Sequence, residues 1–356
     1  MDEVGWYGYN SSDIIHPVGQ KQPNAWGLYD MHGSVYEWCL DWYEDYPTSP
    51  VTDPAGPETG SAYICRGGCW YNYAENCRSA RRSRSPSSFT SDSQGFRVAL
   101  TPVSVESKDI TIPLTEDVSL DMIWIEPGTF VMGSPEDELG RLDNEILHEV
   151  TLTKGYWMGK YEVTQAQYEV IMGTNPSWNH GVNNPVEQVS WDDAKTFCAK
   201  LTAIEKEAGR LPEGYEYNLP TEAQWEYACR AGTTTALNSG KNLSNKAQCP
   251  EMDEVGWYAY NGGQTHPVGQ KPANAWGLYD MHGNAWEWCL DWYDSGYYAI
   301  SPKTDPMGPD TGTQRIHRGG SWYDGAESCR SANRAHIAPG YQGATLGFRV
   351  ALTPVK

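Results

Sequence analysis

The stretch NAWGLYDMHGNAWEWCLDWY at residues 274–293 decides the reading, because residues 24–43 repeat it as NAWGLYDMHGSVYEWCLDWY with three differences. The two copies stay in step on either side. MDEVGWYGYN from Met1 returns as MDEVGWYAYN from Met252, and HPVGQK from His16 returns from His266. RGGCW from Arg66 returns as RGGSW from Arg318, and GFRVALTPV from Gly95 returns from Gly347. The unit of roughly 100 residues is too long, and two copies are too few, for a solenoid. Segment 122–250 has no counterpart ahead of Met1, so the expected organisation is one complete domain at 122–356. The C-terminal half of a sister domain precedes it at 1–103, with a polar linker at 104–121.

The segment between the copies carries the local signals. MIWIEPGTFVMGS, from Met122, alternates apolar side chains about Glu126-Pro127-Gly128 and predicts a hairpin. HEVTLTKGYWMGKYEVT, from His148, alternates again. Thr164 stands three before Gln167 and Thr221 three before Gln224, the spacing of a capping box, with Gly173 and Gly232 as stops. Ser190 precedes Trp191, Ala194, Phe197, Leu201 and Ile204 at helical spacing, closed by Gly209. Three helices and several short strands in a Gly- and Pro-rich chain predict a mixed α+β domain with little regular structure.

Composition narrows the function. The 26 Lys+Arg against 46 Asp+Glu give a net charge of −20, which repels a polyanion and argues against nucleic-acid partners. No apolar run approaches the roughly 18 residues of a membrane span. Trp and Tyr number 16 and 23 against 5 Phe, a balance that suits irregular folds and ligand surfaces. Nine cysteines leave at least one without a partner in the chain. Cys65, Cys69 and Cys77 lack the second ligand pair of a zinc site. Asp2 and Glu3 stand where a signal peptide would be basic. An extracytoplasmic location is nonetheless the expectation, any export signal having belonged to the missing front half.

IEPGTFVMGS, KYEVTQAQYEVIM, NPVEQVSWDDAKTFCAKL, NLPTEAQWEYACRAG, NAWGLYDMHGNAWEWCLDW, RGGSW and LGFRVAL occur in one order across 122–356. The chain thereby resembles the formylglycine-generating enzyme, or sulfatase-modifying factor, family. The resemblance implies an irregular C-type-lectin-like α+β fold, preceded here by a partial second copy. It also implies a calcium site: a side-chain oxygen at Asp280, carbonyls at Gly283 and Ala285, and a carboxylate at Glu287. In the first copy these correspond to Asp30, Gly33, Val35 and Glu37.

The family's enzymes oxidise a substrate cysteine with copper held by two thiolates spaced C-x4-C after the GGS motif. Here SWYDGAESCRSANR has Tyr323, Asp324 and Gly325 where the first thiol is expected, and only Cys329 remains. The first copy spaces Cys69 and Cys77 differently from that pair. Copper is therefore not expected, because soft Cu(I) needs converging thiolates. Candidate bridges are Cys289–Cys329 and Cys198–Cys229. No histidine pair makes the HxxxHxE spacing of related iron enzymes.

Between Arg82 and Gly95 runs SRSPSSFTSDSQ, and between Arg334 and Gly347 runs AHIAPGYQGATL. The two have equal length and no identical position, between identical flanks. A run of that kind reads as a loop on a rigid frame, where binding resides. The expected ligand face joins Tyr323, Asp324 and Glu327 to His336, Tyr341 and Gln342 of this run. Arg78, Arg81, Arg82 and Arg84 form a basic patch in the first copy. The function expected is that of a non-catalytic module binding a protein or glycan, with calcium as a structural ion. The alternative is the copper oxidase.

Overall fold

The computed structural model describes residues 1–46, 54, 56–57, 59–99 and 107–355. The chain forms two compact units, Met1–Val103 and Ser104–Lys356. Elements of the first are β1 (Gly5–Trp6), β2 (His32–Gly33), β3 (Tyr36–Trp42), β4 (Tyr63–Arg66), β5 (Ser83–Ser85) and β6 (Gln94–Gly95). The second opens with β7 (Ile110–Pro113), β8 (Ser119–Ile125), β9 (Gly128–Met132), β10 (His148–Leu152) and β11 (Tyr156–Gly159). Helices α1 (Gln165–Met172), α2 (Trp191–Glu207), α3 (Glu222–Arg230) and α4 (Pro250–Val255) follow, with β12 (Tyr215–Asn218) between α2 and α3. The chain closes through β13 (Trp286–Trp292), α5 (Tyr297–Ile300), β14 (Arg315–Arg318), β15 (Ala335–Ile337), β16 (Leu346–Gly347) and β17 (Ala351–Pro354).

The helices start where their caps dictate. Thr164, Ser190 and Thr221 sit in extended backbone, and each side chain accepts the N–H three residues on. Gln167, Asp193 and Gln224 return the bond to the cap N–H, so orphan donors of the first turn are satisfied in pairs. The predicted capping-box starts and the stop at Gly173 stand, α2 ends on Ala208, and α3 ends on Ala231 in the left-handed region, one residue before Gly232. The α4 and α5 turns were not expected.

Two expectations about strands and linker fail. Met122 to Ser134 is not a hairpin: β8 pairs with β7 and β11, while β9 pairs with β10 in a separate ribbon. The linker expected over 104–121 is shorter, because Ile110–Pro113 is the edge strand β7. Ile110, Ile112 and Leu114 alternate onto one core cluster, a period-2 pattern hidden among polar neighbours.

The second unit has a five-stranded sheet in order β12-β17-β11-β8-β7 and a four-stranded sheet in order β15-β14-β13-β16. Three core clusters fill it. The first holds Tyr168, Phe197, Trp288 and Phe348; the second Tyr156, Met158, Trp225 and Cys289; the third Leu237, Tyr258 and Cys329. The proposed bridges fail on this partition. Cys289 and Cys329 lie in different clusters, as do Cys198 and Cys229, and all nine cysteines, each a described residue, are free thiols. The first unit has its own four-stranded sheet in order β5-β4-β3-β6. Its register repeats that of the second: Glu37 faces Arg66 and Gly95, as Glu287 faces Arg318 and Gly347.

Candidate functional site

The turn into β13 brings the acidic residues together. Asp280 and Asn284 take positive φ of 55° and 60°, and Gly283 takes 79°. A Cβ on Gly283 would meet the Trp257 carbonyl at 2.0 Å, so only glycine fits there. Asp280 Oδ2 accepts from Gly269 N at 2.6 Å, while its buried Oδ1 has no partner. Burial pushes the Asp280 carboxyl up to about 6. Glu162, just after β11, accepts from Asn284 Nδ2 and from Ala285 N, both at 2.9 Å. Burial, then the Asp280 and Glu287 charges, raise Glu162 well above the usual carboxylate range.

Glu287 is held differently. Arg349 donates from Nη2 at 2.7 Å and from Nε at 3.0 and 3.1 Å, and Trp225 Nε1 donates at 2.7 Å. Arg349 also donates to the carbonyls of Gly159 and Tyr279 at 2.8 Å, tying β11 to the turn. This is a satisfied buried ion pair rather than a free metal ligand. The calcium set therefore fits in one half. The orphaned Asp280 Oδ1 suits a hard cation, and Glu287 does not offer a free oxygen. Among the described residues no group of three or more His, Cys, Asp or Glu could hold an ion. The rest of a calcium shell would thus fall to carbonyls such as those of Gly283 and Ala285. The first unit repeats the arrangement: Gly19 N donates to Asp30 Oδ2 at 2.7 Å, Asp30 Oδ1 has no partner, and Arg97 pairs with Glu37 at 2.7 Å. Gly33 again takes a positive φ of 76°, and Val35 follows it toward β3.

The thiols do not fit copper. Burial pushes Cys329 and Cys289 well above the ordinary thiol value, which keeps both protonated. In the first unit, burial and then Cys69 push Cys77 up to about 11. Cys329 closes the 3-10 turn Ala326–Cys329, and the loop ahead of that turn carries Tyr323 and Asp324 instead of a second sulfur.

The expected ligand face is brought together in part. Tyr323 is 72% exposed and Tyr341 45% exposed. Their loops meet where Trp322 Nε1 donates to Ala344 O at 3.2 Å. The 338–345 loop is pinned from beneath, its Pro339, Gly343 and Thr345 carbonyls accepting from Trp191 N, Gln188 N and Trp286 N. Gln342 Nε2 donates to Asp193 Oδ2 at 2.9 Å, so it anchors the loop on the α2 cap. Asp324 is structural, since its Oδ2 accepts from Ser321 Oγ and from Trp286 Nε1. Glu327 N donates to Lys246 O at 2.8 Å, in the turn beside Gly140. His336 stacks on Tyr293 at 3.5 Å and bonds Gln314, its place on β15 set by pairing with Ile316. A cavity of about 280 Å³ lies elsewhere, lined by Lys154, Glu216, Asn218, Gln224 and Met307 and by none of the expected site residues.

Sequence reading misses a buried network between α3, the 134–145 loop and the later repeats. Arg318 pairs with Glu226, Arg330 with Glu138 and Glu145 at 2.7 and 2.8 Å, and Arg334 with Glu222 at 2.7 Å. The signal available was the recurrence of these arginines as Arg66, Arg78 and Arg82 in the other copy.

The comparisons with known proteins agree with this architecture. The Sulfatase-modifying factor enzyme 1-like domain family (FGE-sulfatase) matches residues 4–102 and 113–354. The chain is 31% identical over 278 residues to the "Chaperone protein LppX" of Paenibacillus barcinonensis, covering 65% of this chain and 89% of that protein. It is 32% identical to the formylglycine-generating enzyme of Mus musculus, covering 60% of this chain and 56% of that enzyme. A 32% match to the Chlamydia caviae "Serine/threonine-protein kinase pkn1" spans 65% of this chain and only 38% of the kinase. Among solved structures, Treponema denticola variable protein 1 superposes with TM-score 0.61 at 32% identity, over 71% of this chain and 100% of that one. PvdO from Pseudomonas aeruginosa gives TM-score 0.58 at 28% identity, over 68% of this chain and 97% of that one. With its motifs in order, mixed sheets and few helices, the chain belongs to the sulfatase-modifying factor enzyme 1-like domain family.

Proposed function

We propose that the second unit is a non-catalytic binding module with the irregular C-type-lectin-like form of the family, taking a protein or glycan on the face of Tyr323 and Tyr341. The observation that carries this is the variable run. It differs at every position between the copies, yet its flanks Arg334 and Phe348 are buried and the backbone of its loop is pinned at three carbonyls. A rigid frame with exchangeable, exposed tyrosines is how a binding surface varies without loss of fold. The structural match to a protein titled a variable protein supports the reading, and the lone protonated Cys329 counts against the oxidase. Calcium belongs to this reading as a structural ion on Asp280 and the neighbouring carbonyls, with Asp30 as its counterpart. When bound, it would neutralise a buried carboxylate.

The test is a glycan and peptide array probed with the full chain, with Tyr323→Ala/Tyr341→Ala, and with His336 to Thr345 replaced by Arg84 to Ser93. The double alanine variant should lose the bound set, and the exchanged run should change it, with the thermal midpoint nearly kept. An unchanged profile in both variants would remove the face from consideration.

A further inference from the structure

The cavity of about 280 Å³ is built entirely from residues of the second unit. Its walls come from the end of β10, from β12 with β17, from the start of α3 and from the turn at 305–307. Strand alternation sets what faces it. Tyr217 and Leu352 pair across β12 and β17 and belong to the first core cluster. Glu216 and Thr353 pair one step along, so they face the opposite side, which is the cavity. Leu219 and Leu152, 1% and 4% exposed, give it an apolar floor, to which Leu290 and Met307 add. The turn over it is fixed. Asp305 takes a positive φ of 44° and its N–H donates to Thr151 O at 2.9 Å, while Thr153 donates to its carboxylate from N at 2.8 Å and from Oγ1 at 2.5 Å.

The polar groups in the walls divide into those already bonded and those with capacity left. Both Asp305 oxygens are taken by Thr153. Asn218 Oδ1 accepts from Leu219 N at 2.9 Å and from Lys195 Nζ. Thr221 and Gln224 close on each other in the capping box of α3. Two charged groups remain. Lys154 has no partner among the described residues, and Glu216 accepts only from Asn218 Nδ2 at 3.4 Å, through one oxygen. They face one apolar cavity without pairing with each other.

A cation and an anion left in this way call for a ligand that carries both signs. A fatty acid would desolvate Glu216 against an apolar body, and an alkylamine would do the same to Lys154. A neutral sugar would meet mostly committed groups over an apolar floor. Size narrows the choice further. Small-ligand sites run upward from roughly 300 Å³, and a cavity of about 150 Å³ holds benzene. The space therefore suits one amino acid and not a lipid chain or an oligosaccharide.

We propose that this cavity binds an apolar α-amino acid as its zwitterion. The carboxylate accepts from Lys154 Nζ, the ammonium group donates to Glu216, and the side chain lies on Leu219, Leu152, Leu290 and Met307. Both polar contacts are charge-assisted, so losing either weakens binding strongly. This site is separate from the Tyr323 and Tyr341 face and does not depend on it.

The experiment is calorimetry of the full chain with L-leucine, set against isopentylamine, which lacks the carboxylate, and 4-methylpentanoate, which lacks the ammonium group. Leucine should bind at least tenfold tighter than either. Lys154→Met should lower leucine to the level of the amine, and Glu216→Gln should lower it to the level of the acid, each with the thermal midpoint kept. Met307→Trp, which fills the space, should remove binding. A leucyl-leucine dipeptide binding tenfold tighter than leucine would bear out the same chemistry and name a peptide as its source. No heat with either leucine or the dipeptide would overturn the proposal. So would the amine or the acid binding as tightly as leucine, or leucine affinity unchanged in Lys154→Met and Glu216→Gln.

Discussion

Arg349 and Glu287, both in the repeated part of the second unit, are fully buried and joined by three bonds, with Gly159 O and Trp225 Nε1 of the preceding segment bonded to the pair. Removing one partner strands the other charge in the interior, so Arg349→Met should cost about 3–5 kcal/mol in urea unfolding. Arg97→Met in the part-exposed counterpart should cost about 1 kcal/mol or less. Similar losses for both would mean that burial is not what gives the pair its weight. Calcium is tested at the neighbour instead. Binding to the native state alone stabilises by about 2.7 kcal/mol at a hundredfold excess over Kd. Millimolar calcium should raise the thermal midpoint of the chain, and Asp280→Asn with Asp30→Asn should abolish the rise. Equal midpoints with chelator and with calcium would dismiss the ion.

Asp291 sets a pH dependence. Burial, then the Glu222 charge, push it up to about 7, while Glu222 N donates to it and Arg334 and Arg315 oppose the shift. Tyr297 and Cys289 also face it. The folded state holds a proton here that the unfolded chain releases near 3.8, so stability falls as pH rises from about 4 to 7. His282 works oppositely: burial lowers it to about 4, so its contribution is present above 6.5 and lost as pH falls toward 4. Asp291→Asn should therefore gain on wild type by on the order of 1 kcal/mol or more between pH 4 and pH 7, in denaturant melts at each pH. A difference between the two chains that does not change with pH would contradict the assignment.

Among the elements, α2 links stability to the proposed binding face. Its Ser190 cap bonds Asp193, and the same Asp193 oxygen receives Gln342 from the variable loop. Ser190→Ala should cost about 1 kcal/mol. Asp193→Ala should cost a similar amount and also speed hydrogen exchange at residues 340–343. Loss of stability without faster exchange there would show the loop to be held by its backbone alone. Thr164 and Thr221 were legible because they stand at fixed spacing from Gln167 and Gln224, and Ser190 because it heads an apolar run at helical spacing; its partner Asp193 was not read. The strand pairing of Met122–Ser134 was not, because alternation gives the face of a strand and not its neighbour. Ile110 and Ile112 were missed for a related reason, as two apolar residues in a polar run gain meaning only from the sheet they join.

Over the whole molecule, the family frame was legible from the ordered motifs, and the doubling from identical stretches. The ion-pair network was not. Arg330 meets Glu138 across 192 positions, and nothing local in either residue announces the other. The pairing of Glu287 with Arg349 was hidden for the same reason, since the two lie 62 residues apart and Arg349 stands in a motif read only as an anchor. Among the described residues no helix is long and apolar enough to cross a membrane. The central claim is that this chain keeps the fold of its family without the thiolate pair that activates oxygen. It is tested by supplying the full chain with copper(I), oxygen and a cysteine-containing sulfatase peptide, and reading the peptide by mass. The account predicts an unchanged cysteine at every copper concentration. Copper-dependent conversion of that cysteine to the aldehyde, lost in Cys329→Ser, would contradict it.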